Sequence, residues 1–133
     1  MAYYMATTLP GPFHEAVVRT EAALKEQGFG VITRIDIRET LKAKIGVDFR
    51  PYVILGACNP RLAYEALQLE DKVGTMLPCN VVVQEIAPGR IEVAAIDPVA
   101  SMQAIDNPAL AGAAQDVRAM LGKVIKALGT LNP

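Results

Sequence analysis

The chain has one histidine, two cysteines and no tryptophan in 133 residues. A closed structural zinc site takes four Cys or His ligands, and the chain supplies three. Two cysteines cannot build the multi-bridge framework of a small secreted domain. Positive charge is also scarce. The formal net charge is −1, which argues against a general electrostatic nucleic-acid binder. The most basic stretch, residues 34–50, holds Arg34, Arg38, Lys42, Lys44 and Arg50 but also Asp36, Glu39 and Asp48, and reads as a solvated face. No apolar run approaches the roughly 18 residues that span a bilayer. The start, Met1-Ala2-Tyr3-Tyr4-Met5, lacks the basic region and long apolar run of a signal peptide. The expectation is a cytoplasmic protein with free thiols, bound neither to membrane nor to nucleic acid. Phosphate-cradling glycine loops, G-x-S-x-G elbows, H-E-x-x-H and C-x-x-C motifs are absent too.

What is present is a globular composition. Hydrophobic residues make up 52% and charged residues 20%, enough for one core in a single domain spanning residues 1–133. Residues 2–8 are β-prone, and Pro10, Gly11 and Pro12 end them. Phe13, Ala16, Val17, Thr20 and Leu24 then recur at helical spacing, with Gly28 as the stop. Residues 29–37 alternate: Phe29, Val31, Thr33, Ile35 and Ile37 face one way and Gly30, Ile32, Arg34 and Asp36 the other. Residues 38–46 predict a short helix with Leu41 and Ile45 inward. Residues 50–58 predict a strand buried in part on both faces. Asn59-Pro60 opens a helix to about residue 71, because Asn caps well and Pro suits the first helical position. The same grammar returns at Asp97-Pro98 and Asn107-Pro108. Residues 78–86 and 90–96 form a hairpin whose turn, Ala87-Pro88-Gly89-Arg90, has the Pro and Gly of a type II turn. Leu110, Ala113, Ala114, Val117, Leu121, Val124, Ile125 and Leu128 make one apolar stripe along a helix over residues 108–128, closed by Gly129.

This order predicts an α+β fold in two layers. One antiparallel five-stranded sheet carries helices on one face. The other face must be wet or covered by a partner, and the high apolar fraction favours a homodimer.

The two cysteines mark the candidate site. Cys58 ends a strand just before a helix N-terminus, whose N–H groups and dipole stabilise a thiolate. Cys79 begins the next strand. If the two strands are antiparallel neighbours, both thiols sit at one end of the sheet. Four readings stay open: two buried small hydrophobes, a thiol redox pair, lining of a ligand pocket, or a soft-metal site with Met76 as thioether ligand. Lys44 and Asp48, flanking Gly46, could reach such a pocket. His14 reads as a surface residue, Asp97 as an N-cap, and Glu85 and Glu92 as a solvent-facing pair on neighbouring strands.

Lys44-Ile-Gly-Val-Asp48-Phe-Arg-Pro-Tyr52, Ile54-Leu-Gly-Ala-Cys58-Asn-Pro60, Leu77-Pro-Cys79-Asn-Val and Ile96-Asp-Pro98, in this order, resemble the prokaryotic domain of unknown function 302 family over residues 2–128. The resemblance implies a β-α-β(4)-α core of the TATA-box-binding-protein-like class, with two inserted short helices and a possible dimer. It implies no DNA binding, because one fold hosts many functions, and it carries no catalytic roles or cofactor. The expected function is a dimeric binding module with a small-ligand or soft-metal site formed by Cys58, Asn59 and Cys79 with Lys44 and Asp48. The alternatives are an enzyme with Cys58 as redox centre or nucleophile and Cys79 as resolving thiol, and an adaptor with inert cysteines.

Overall fold

Strand-prone runs with period-2 burial alternate with capped helices along the chain, and a computed structural model describes residues 2–131 of it. The elements are β1 (Tyr4–Pro10), α1 (Phe13–Glu26), β2 (Gly30–Asp36), α2 (Ile37–Ile45), β3 (Tyr52–Cys58), α3 (Pro60–Leu69), β4 (Cys79–Ala87), β5 (Arg90–Ile96), α4 (Pro98–Ser101) and α5 (Leu110–Gly129). Short 3-10 segments follow α3 (Asp71–Met76) and α4 (Met102–Ala104). All strand pairs are antiparallel, in the order β1-β5-β4-β3-β2. The fold is the α+β arrangement expected, a β-α-β(4)-α core with α2 and α3 inserted between strands.

The core lies between one sheet face and two helices. Val53, Leu55 and Ala57 of β3, Cys79, Val81 and Val83 of β4, and Ile91, Val93 and Ala95 of β5 point into it. Ala16, Val17 and Leu24 of α1 and Leu121, Val124, Ile125 and Leu128 of α5 close it from above. A satellite cluster of Ala66, Val73 and Leu110, with Leu77, Met102 and Ile105 against it, ties α3 to the start of α5. Among the described residues, no helix is long and apolar enough to cross a membrane.

Five local expectations are corrected. β1 runs on through Pro10. It is an edge strand, where a proline's missing N–H costs no ladder bond. In β2 the register shifts between Val31 and Thr33, so Ile32 is an extra residue and the alternation inverts beyond it. Val31 opposes Ala57 on the core side, whereas Thr33 and Ile35 oppose Gly56 and Ile54 on the other. Ile45 is 67% exposed rather than inward, and α2 buries no residue. Gly129 does not stop α5. It is helical, and a Cβ there would meet Thr7 Oγ1 at 2.9 Å, so the glycine lets α5 lie close on β1. α5 itself begins at Leu110, two residues later than the Asn-Pro signal suggests. Asn107 instead accepts from the N–H of Ala109 and donates to the Leu69 carbonyl.

The sheet face opposite the helices is half-buried or exposed along its length. The exception is Gly56, where Pro78 and Thr33 close over the backbone.

Candidate functional site

Local grammar builds the cysteine end as expected. Asn59 Oδ1 accepts from the Leu62 N–H at 3.2 Å, and Pro60 opens α3. The Asn59 amide nitrogen lies 3.9 Å from Met120 Sδ. Asn59 thus caps α3 and touches α5, and it borders the same cavity as the cysteines. Cys79 lies directly opposite Ala57, so both cysteines are at one end of the sheet.

The expected thiol pair does not form. Directly opposed residues share a sheet face, and Cys58 is one residue past Ala57, so the pleat sends the two side chains to opposite sides. The thiols are free and not bonded to each other. Cys79 is buried, and its pKa rises from 9.0 to about 11, first by burial and then by the charge Cys58 would carry. A thiol that keeps its proton is a poor nucleophile and a poor soft-metal ligand.

Both cysteine residues border a cavity of about 40 Å³, closed by Leu62, Ala66, Met102 and Val117. It is the seam between the main core and the satellite cluster. It falls far short of the roughly 300 Å³ at which ligand pockets begin. Met76 borders a different groove, with Thr75, Leu77, Pro78 and Asn80. Among the described residues no group of three or more His, Cys, Asp or Glu gathers as a metal site. Lys44 is in the last turn of α2, and Asp48 is four residues before β3, whose start is roughly 20 Å along the strand from Cys58. Asp48 is exposed and pairs with Lys42 Nζ at 3.0 Å. None of Lys44, Asp48 and Met76 lines the cavity that the cysteines border.

His14 is exposed on α1. Asp97 is the expected N-cap, accepting from the N–H groups of Val99 (2.9 Å) and Ala100 (3.4 Å). It is also only 5% exposed and ion-paired with Arg118 Nε of α5 at 3.1 Å. Glu85 and Glu92 do not face each other, because Glu85 opposes Ile91 and Glu92 opposes Gln84. Glu85 accepts from the Gly89 N–H in the hairpin turn.

The larger concavity lies on the uncovered sheet face. Strand register builds it in rows. One row runs Tyr52, Gln84, Glu92, Thr8 across β3, β4, β5 and β1. The next runs Ile54, Val82, Ala94, Ala6, and its small alanines lower the floor. Tyr4 opposes Ile96 beyond that. The hollow measures about 360 Å³ and is lined by Tyr3, Tyr4 and Tyr52 with Asn80, Gln84 and Glu92 over Val82, Ala94 and Ile96. Glu92 Oε1 accepts from Gln84 Nε2 at 3.0 Å, and Gln84 Oε1 accepts from Arg50 Nε at 2.8 Å. The Tyr3 and Tyr4 rings meet edge to face with centroids 5.1 Å apart.

Residues 5–128 match the family described as domain of unknown function DUF302. The chain belongs to the DUF302 family. A crystal structure of an uncharacterized conserved protein DUF302 from Bacillus stearothermophilus is similar to it. The two are 30% identical with a TM-score of 0.88, over 96% of this chain and 99% of that one. No curated protein matches.

In this DUF302 chain the cysteine motifs shape a strand end, a helix cap and a packing seam. The open face instead combines a hydrogen-bonded carboxylate, two amides and three phenols around an apolar floor. The sequence reading missed this surface. Its signal was present in β4 and β5, where alternate residues Asn80, Val82, Gln84 and Glu92, Ala94, Ile96 mix polar with apolar. Buried strands would be apolar on both faces.

Proposed function

We propose that this DUF302 domain is a small binding module whose working surface is the uncovered face of its sheet. The observation that carries the reading is the hollow of about 360 Å³ between Tyr4, Tyr52 and Glu92, whose size and mix of aromatic, apolar and few polar groups suit a small molecule. The cysteine end offers too little space for one. A raised Cys79 pKa and thiols sent to opposite sides of the pleat also speak against the thiol-enzyme alternative. A fragment screen on isotope-labelled protein tests the proposal. Amide shifts should cluster on Tyr4, Val82, Gln84, Glu92 and Ala94. Shifts confined to residues around Cys58 and Cys79, or no saturable shifts, would refute it.

A second reading has the same face closing on a second copy, giving a homodimer. Exposed Tyr4 and Ile35 beside half-buried Ile54, Val82 and Ile96 favour it. Strands about 4.8 Å apart and about seven residues long give a five-stranded face of roughly 550 Å², hence about 1,100 Å² per pair of copies. That is near the lower bound of specific interfaces.

A further inference from the structure

We infer that the open-face hollow takes an organic cation, an amine or guanidinium on an apolar body, with its charged end at Glu92. The inference rests on the binding reading above and names the ligand class for it. Among the described residues, Glu92 is the one acidic side chain lining the hollow, and no basic side chain lines it. Gln84 holds the Glu92 carboxylate by a 3.0 Å hydrogen bond, which fixes its direction. Tyr52 lies in the same row two strands from Glu92, and Tyr3 and Tyr4 line the far end of the hollow; aromatic rings attract cations. Val82, Ala94 and Ile96 provide the apolar floor for the rest of the molecule.

The fold already seats one cation beside this surface. The Arg50 guanidinium carbon lies 4.3 Å from the Phe49 ring centroid and 5.8 Å from that of Tyr52. Arg50 also sets the opposing term, since its charge sits one side chain beyond Gln84. Arg50 is exposed, so water and salt screen it, while Glu92 is half-buried. A carboxylate ligand would meet Glu92 with no lining cation to offset the repulsion. Glu92 and Tyr4 are separated by two row spacings, roughly 13 Å along the sheet. A ligand several bonds long therefore reaches from the carboxylate to the tyrosine pair.

Three probes of one shape and different charge test this on the full chain: benzylammonium, benzyl alcohol and benzoate. Benzylammonium should shift the amides of Gln84, Glu92 and Ala94 saturably, with the other two binding about tenfold more weakly or not at all. Glu92→Gln keeps an oxygen for the Gln84 bond and removes the charge. It should weaken benzylammonium about fivefold and leave benzyl alcohol unchanged. Equal binding of the three probes, or an unchanged benzylammonium affinity in Glu92→Gln, overturns the cation assignment while the hollow stands as a binding site. No saturation by any of the three overturns it as well, and the wider fragment screen then decides the binding reading separately.

Discussion

Cys79 keeps its proton because ionising it would place a charge in the core, next to Val81 and Ala57 and away from water. The linkage to stability follows from the direction of the shift. Below pH 9 the thiol is protonated in both states and adds no pH dependence. Between pH 9 and about 11 the unfolded chain loses the proton first, so stability falls as pH rises. A shift of this size corresponds to about 3 kcal/mol across the window. Urea midpoints should therefore drop over pH 9–11, and Cys79→Ala should flatten that drop, so that its cost relative to the parent chain is largest below pH 9 and shrinks toward pH 11. An unchanged slope in the variant would refute a buried, protonated Cys79. A neighbouring residue is constrained by space alone. A Cβ on Gly56 would meet Pro78 Cγ at 2.8 Å and would meet Thr33 Oγ1. Gly56→Ala should cost about 1–3 kcal/mol in urea unfolding. Thr33→Ala in the same chain should recover part of it, because the two side chains compete for one volume.

Helix starts were legible in the sequence because a cap is a local bargain between an acceptor and the next two or three N–H groups. Asn59-Pro60 and Asp97-Pro98 open α3 and α4 as their residues imply. What a cap also does at long range is invisible locally. Asp97 turns out to anchor α5 through Arg118, 21 residues on. Its two roles separate by substitution. Asp97→Asn retains the oxygen that caps α4 and loses the charge facing Arg118, a half-exposed partner, at a cost of about 1 kcal/mol. Asp97→Ala loses the cap as well and should cost about 2–3 kcal/mol. Equal losses in the two variants, measured by urea unfolding at neutral pH, would mean that the cap contributes nothing. The elements misread from sequence share one cause. The bulge at Ile32, the exposure of Ile45 and the helical Gly129 each depend on the strand or helix opposite, and period alone does not identify that neighbour.

At the scale of the whole molecule, the alternation of strands and helices and the tight hairpin turn sufficed for the sheet's class and for one covered face. The site was less legible. Motif density drew attention to Cys58 and Cys79, but the pleat sets their side chains apart. The hollow, by contrast, comes from residues of four strands that register alone aligns: Tyr52, Gln84, Glu92 and Tyr4. The same face decides the oligomeric reading. β4 is the central strand of the five, and Val82 sits midway along it. In a two-fold pairing of open faces, a central residue lies close to the axis and meets its own copy. Val82→Arg would then place two like charges opposite each other at the least hydrated point of the interface. Sedimentation velocity from about 1 to 100 μM should show dimer in the parent chain and monomer in Val82→Arg, with circular dichroism unchanged because Val82 faces away from the core. A parent chain that stays monomeric throughout, or a dimer that survives Val82→Arg, would exclude closure of this face by a second copy.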